Sequence, residues 1–262
     1  MIRADFHCHT HYSHDCFAGI GAVLDCARRR GLTHLAITDH DKLEGAFRAR
    51  DRSRDVQIII GCEVSLTGGG HIIGLFLERP LAGKTTSEVV DEIHAQGGFV
   101  LVPHPLNEKS GLFGGARFGV PADAQKRVPP VGIDAIEAVN GHEPPAHNTA
   151  AADLARRHGL PMLAGSDAHY GVDVGRACVE FPDANTLTAE LLRTGKRTLW
   201  EPMADLSAIH AADSQIRAHT APRARKFAPQ AARTVAKWLV WSRCRRQIQA
   251  RLHEPVRQEF RG

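Results

Sequence analysis

Five short apolar runs in this chain each lead into a side chain able to bind a metal ion, and that repetition constrains the fold more than any bulk property. Phe6 leads into His7-Cys8-His9, Leu35-Ala36-Ile37 into Thr38-Asp39-His40-Asp41, and Ile58-Ile59-Ile60 into Gly61-Cys62-Glu63. Val100-Leu101-Val102 leads into Pro103-His104-Pro105, and Met162-Leu163-Ala164-Gly165 into Ser166-Asp167-Ala168-His169. Read as strands, these runs alternate faces with period two, so His7 and His9 point the same way, as do Asp167 and His169. His71 differs, because it opens an apolar run after the Gly68-Gly69-Gly70 turn. Together with Asp15, the set predicts several metal ions gathered at one rim of a barrel.

Helical stretches separate the strands. Ile20, Val23, Leu24 and Ala27 keep helical spacing before Gly31, and a second helix is expected from His147 to His158. Thr85 and Glu88 stand at capping-box spacing ahead of a helix through Val89, Ile93 and Ala95. Strand-then-helix order predicts a mainly parallel sheet, and ligands at strand C-termini fit the face where β/α barrels place their chemistry. A chain of 262 residues, 43% hydrophobic, is long enough for one such domain.

The residue types narrow the cofactor. With 16 histidines a single imidazole says little, but a shared position at strand ends says more. Mixed imidazole and carboxylate donors suit zinc, manganese or iron better than calcium or magnesium, which prefer oxygen shells. The six cysteines, Cys8, Cys16, Cys26, Cys62, Cys178 and Cys244, form no CxxC pair, which argues against a disulfide scaffold or a zinc ribbon. Met1 to Asp5 enters a strand directly, and no stretch approaches the roughly 18 apolar residues of a membrane span, so a cytoplasmic protein is expected. Gly83-Lys84-Thr85 resembles the end of a phosphate-binding P-loop, but Glu78 stands where that motif needs its first glycine.

In this order His7-Cys8-His9-Thr10, Ser13-His14-Asp15, Ile37-Thr38-Asp39-His40-Asp41, Gly61-Cys62-Glu63, His71-Ile72-Ile73-Gly74, Pro103-His104-Pro105, Glu137 to Gly141 and Gly165 to His169 resemble the PHP (polymerase and histidinol phosphatase) family of metal-dependent phosphoesterases. The resemblance covers residues 1 to about 181. It implies a distorted seven-stranded β/α barrel, TIM-like, with two or three metal ions. By that resemblance His7, His9, Glu63 and Asp167 hold one ion, Glu63 bridges to a second held by His71 and His104, and Asp15, His40 and His169 hold a third. Asp15 is preferred to His14 as the first-loop ligand. Glu137 and Asn140 would border the site and shape it, Asn140 as a candidate to bind substrate.

The implied reaction is phosphoester hydrolysis of a small phosphate monoester, a nucleotide or an oligonucleotide end, histidinol phosphate being one specific candidate. Glu63, Asp167 and His169 are the catalytic candidates, with Asp167 or a nearby histidine assisting proton transfer. Lys109, Arg117 and Arg176 are positioned in sequence to neutralise a phosphate; the first two lie in a glycine- and proline-rich segment, residues 106 to 130, read as a lid or a surface excursion. Amide hydrolysis is the enzymatic alternative. A metal-stabilised binding module is the non-enzymatic one.

Charge divides the chain at about residue 216. From Arg217 to Gly262 twelve Arg and Lys face only Glu254 and Glu259, a net of +10, so with +4 overall the preceding residues carry −6. Phe227, Ala231, Val235, Trp238, Trp241, Ile248 and Leu252 share one side at helical spacing, interrupted by Arg245 and Gln249. Residues 217 to 262 are therefore expected to be a basic helical tail, packed on the barrel or contacting RNA or anionic membrane.

Overall fold

The computed structural model describes residues 1–16, 18–114, 127–202 and 257–260. Seven strands make the barrel: β1 (Ile2–Asp5), β2 (His34–Ile37), β3 (Gln57–Ser65), β4 (His71–Leu75), β5 (Phe99–Val102), β6 (Ala135–Asn140) and β7 (Met162–Gly165), hydrogen-bonded in that order. Helices α1 (Ile20–Arg29), α2 (Glu44–Arg52), α3 (Thr86–His94) and α4 (Pro145–Arg157) fall between them. The capping box expected from Thr85 and Glu88 starts α3. Three further strands, β8 (Cys178–Phe181), β9 (Thr198–Pro202) and β10 (Arg257–Glu259), extend the sheet from β1, and α5 (Ala189–Thr194) lies between β8 and β9.

The sheet is mixed rather than mainly parallel. β1–β2–β3 and β5–β6–β7 run parallel, but β4 is antiparallel to both its neighbours, and β8 to β10 add only antiparallel pairs. The reason is local. The Gly68-Gly69-Gly70 turn returns the chain at once in a hairpin, where a parallel neighbour would need a crossover of a dozen residues. This reversal brings the start of β4, and hence His71, to the rim where the other strands end. A second correction concerns the tail: Arg257–Glu259 is a strand paired with Trp200 to Pro202, and not a helix. The rest of that tail, including Trp238 and Trp241, lies outside the described residues, as does Arg117.

One contiguous core cluster takes residues from every barrel strand, among them Phe6, Ala36, Ile59, Ile73, Leu75, Phe99, Leu101, Val139 and Leu163. The barrel closes where the extension of β1 meets β7. Phe6 N donates to Ala164 O at 3.4 Å, Asp167 N to His7 O at 2.8 Å and His9 N to Ala168 O at 3.0 Å. Asp5 staples this seam from below, accepting from Ser166 N at 2.9 Å, Ser166 Oγ at 2.5 Å, Gly175 N at 2.8 Å and His7 N at 3.2 Å. Burial pushes the Asp5 carboxyl up to about 6, against these donors, which pull it down. Nothing in the sequence patterning marked Asp5 for this role.

Gly165 is where β7 passes closest to β1: a Cβ there would stand 2.3 Å from the His7 Cβ and 2.5 Å from Glu137 Oε1. Gly165→Ala should therefore overpack the seam by about 1–3 kcal/mol. The expected drop in melting temperature is several degrees, at roughly 2–4 °C per kcal/mol for a domain of this size. An unchanged melt would mean that the two strands are not in this contact.

Candidate metal centre

All nine ligand candidates meet at one rim. His7 and His9 arrive on the extension of β1, His40 just past β2, Glu63 within β3, His71 at the start of β4, His104 just past β5, and Asp167 and His169 past β7. Asp15 comes from the loop before α1. His104 and Asp167 hold positive φ angles, 26° and 53°, a region that costs a non-glycine residue energy and is retained where the surroundings enforce it.

Glu63 is the hub. It is 1% exposed, and its two oxygens face different partners. Oε1 lies 2.7 Å from His71 Nδ1 and 2.9 Å from His104 Nε2. Oε2 lies 3.2 Å from His7 Nε2, 3.1 Å from His9 Nε2 and 3.4 Å from His40 Nδ1. Asp167 Oδ1 closes the inner group, 3.3 Å from His7 Nε2 and 3.4 Å from His9 Nε2. An outer group joins it through His9: Asp15 Oδ2 is 3.2 Å from His169 Nε2 and 3.4 Å from His40 Nε2.

Donor atoms gathered this closely fit metal ions. Four sets, His7/His9/Glu63, His40/Glu63/His71, His7/His104/Asp167 and His9/Asp15/His40/His169, each present one atom per residue within 4.8 Å of one another. Two polar atoms of this cluster, Asp15 Oδ1 and His40 Nδ1, are buried without a hydrogen-bond partner, which buried polar groups rarely are. Such mixed nitrogen–oxygen sets suit zinc, manganese or iron. His14 is exposed and reaches the cluster only as a ring beside His40, 5.0 Å between centroids.

Known proteins place the chain in a family. Residues 5–113 match the model of the PHP domain, and residues 145–197 match a PHP-associated model. Over 140 residues the chain is 31% identical to an uncharacterized protein of Methanocaldococcus jannaschii, covering 47% of this chain and 78% of that one. The chain belongs to the PHP family. A solved two-domain protein from Bacteroides vulgatus, described as containing a predicted PHP-like metal-dependent phosphoesterase, shares the fold at a TM-score of 0.54 and 21% identity, over 76% of this chain and 57% of that one. An error-prone DNA polymerase of Mycobacterium tuberculosis is 29% identical over 208 residues, 65% of this chain but only 19% of the polymerase.

Around the PHP centre a second layer orients the imidazoles. His7 Nδ1 donates to Glu137 Oε1 at 3.1 Å, and His169 Nδ1 to Asp167 O at 2.8 Å, which turns each Nε2 toward the cluster. His9 Nδ1 lies 2.9 Å from Ser13 Oγ, which donates in turn to Asp39 Oδ1 at 3.1 Å. Asn140 stands in the wall of the site. It is buried, its Nδ2 donating to Glu137 Oε2 at 2.9 Å and to Asp167 Oδ2 at 3.3 Å. That contact depends on a β-bulge between Glu137 and Val139, because residues three apart on a regular strand face opposite ways. Lys109 is exposed on the loop after β5. Arg176 is half-buried, with Nη1 3.6 Å from Asp173 Oδ1 and a buried Nε that has no hydrogen-bond partner among the described residues.

The PHP cluster holds its charge by mutual pairing. Burial would push His104 down, but the hydrogen bond and charge of Glu63 outweigh it and push it up to about 9. His169 likewise rises to about 9, burial being outweighed by the hydrogen bond to Asp15 and the charge of Asp167. Glu63 and Asp167 move the other way: burial would raise each, and the surrounding imidazolium charges, His7 foremost, hold both well below the carboxylate range.

These directions fix how the metal-free protein responds to pH. The stability that His104 and His169 contribute is complete below their ordinary value of 6.5 and is lost as pH rises through about 9. The contribution of Glu63 and Asp167 is present above their ordinary values of 4.5 and 3.8 and is lost only as pH falls well below them. Chelator-treated protein should therefore melt highest between about pH 5 and 6.5 and several degrees lower at pH 9. Metal-loaded protein, whose imidazoles bind as neutral ligands, should lack that alkaline decline. Melts across this range with and without chelator check it, and a flat profile in the metal-free form would contradict the pairing.

Proposed function

We propose that this PHP protein is a metal-dependent phosphoesterase holding two or three transition-metal ions, with a phosphate monoester, a nucleotide or an oligonucleotide end as substrate. The observation that carries the reading is Glu63, one buried carboxylate whose two oxygens serve two separate histidine sets. In this reading His7, His9, Glu63 and Asp167 hold one ion, Glu63, His71 and His104 a second, and Asp15, His40 and His169 a third. Divalent ions so placed would polarise a phosphoryl oxygen and lower the pKa of water.

The chain's own residues supply orientation and charge. Asn140 engages Asp167 Oδ2, leaving Oδ1 toward His7 and His9. Of the inner carboxylates, the Asp167 side chain is 14% exposed and that of Glu63 1%, so Asp167, with His169 beside it, is the group placed to assist proton transfer on the substrate side. Arg176 brings a guanidinium with an unpartnered donor on the same loop, and Lys109 adds charge from the loop after β5. The first half of that loop is packed rather than free, with Leu106 and Phe113 buried, which favours a wall beside the substrate. Cys8, Cys26 and Cys62 are free and buried, and no described helix is long and apolar enough to cross a membrane. Reduced thiols fit a cytoplasmic setting.

Activity of metal-loaded protein on phosphomonoesters, histidinol phosphate among them, bisphosphorylated nucleotides, short RNAs and amides tests the reading. Phosphate release should exceed amide cleavage. Glu63→Ala and Asp167→Ala should lower turnover by at least 1000-fold, about 4 kcal/mol, with most of the fold kept. Asp15→Ala should cost far more than His14→Ala, and Arg176→Ala should raise KM more than it changes metal content. Full phosphatase activity after metal removal would refute the proposal.

A further inference from the structure

Beyond the cluster, a hydrogen-bonded chain runs from His104 to α4. Asn107 N donates to His104 O at 2.9 Å, closing a turn immediately after the strained His104. The Asn107 side chain then organises the loop: Oδ1 accepts from Lys109 N at 2.9 Å, Ser110 N at 3.1 Å and Ser110 Oγ at 3.0 Å. Ser110 Oγ stands 3.5 Å from His104 Nδ1, at the long end of hydrogen-bond reach. Asn107 Nδ2 donates to Glu143 Oε1 at 2.5 Å, and Glu143 Oε2 lies 2.5 Å from His147 Nδ1. Glu143 and His147 are both buried.

The directions along this chain are consistent. Asn107 Oδ1 takes the Ser110 hydroxyl proton, so Ser110 Oγ offers a lone pair to His104 Nδ1–H. With Nδ1 protonated, Nε2 is the nitrogen left to bind an ion; in the metal-free protein it donates its own proton to Glu63 Oε1 at 2.9 Å. His104 N is held from the other side by Glu137 Oε2 at 2.7 Å. Backbone held at φ 26° relaxes unless both flanks are tied, and Asn107 supplies the second tie.

We propose that Asn107 and Glu143 are positioning residues for His104, fixing its tautomer and its strained backbone so that the site formed with His71 and Glu63 keeps its metal affinity. Neither touches substrate or metal. Glu143 sits between β6, which carries Asn140, and α4, so the tie also joins the loops that follow β5 and β6. The inference rests on the metal-centre reading, and the test separates the two.

Zinc affinity and stoichiometry are measured on full-length, metal-stripped protein by chelator competition and elemental analysis. Asn107→Asp replaces the donor with a carboxylate facing Glu143. It should weaken one zinc equivalent by about 10- to 100-fold, the usual cost of losing an outer-shell partner, and leave the affinity of the others close to wild type. Glu143→Gln keeps the acceptor for Asn107 and should retain affinity. Gly111→Ala breaks the same turn from the backbone side, since its Cβ would lie 2.6 Å from Asn107 N and O, and should reproduce the single-equivalent loss. Wild-type zinc binding in both Asn107→Asp and Gly111→Ala overturns the inference, as does a loss in Glu143→Gln equal to that in Asn107→Asp. So does a uniform loss of all equivalents with a lowered metal-free melt. A wild-type protein that binds no zinc would instead overturn the metal centre itself.

Discussion

A carboxylate buried at 1% exposure among five imidazoles is the constraint on which the rest of this structure depends. An isolated charge in such a place is costly, and it persists only when paired or bound to a metal. Glu63 is paired on both oxygens by residues from β1, β2, β4 and β5, so the barrel must bring four strands to one point. The hairpin that reverses β4 meets this demand. A parallel strand would have delivered its end, and not its start, to the rim, and His71 would lie at the far side of the sheet.

The outer layer follows from the same demand. Each imidazole has two nitrogens, and the one facing away from the cluster must find a partner for the other to aim correctly. Glu137, Ser13 with Asp39, Ser110 and the Asp167 carbonyl fill that role for His7, His9, His104 and His169. Asp5 ties β1 to the loop after β7 at the level just below. The rim is thus rigid where ligands stand. Its exposed charges, Lys109 above all, lie on the loops.

Much of this was legible in the sequence because strand periodicity and side-chain chemistry coincide: His7 with His9 show their shared face in the spacing alone, whereas Asp167, at φ 53°, stands past the end of β7 and reaches the cluster through the turn rather than by strand alternation. The capping box at Thr85 was equally plain. What escaped the sequence depends on parity or on distance along the chain. Asn140 reads as a residue bordering the site, but its contacts with Glu137 and Asp167 depend on one extra residue at the β6 bulge, which spacing alone does not show. Asp5 looks like an ordinary polar strand residue, since Ser166 and Gly175, its partners, lie more than 160 positions away. The strand at Arg257–Glu259 carries no alternation to separate it from the basic stretch before it.

The central claim is that Glu63 is shared between neighbouring metal sites. Electron paramagnetic resonance of protein titrated with manganese tests it most directly, because ions joined through one carboxylate couple their spins. The structure predicts a spectrum that changes from isolated to coupled manganese as the second equivalent binds, with the coupling lost in Glu63→Ala. Isolated-ion signals at every loading, in a protein that binds more than one equivalent, would contradict a shared Glu63.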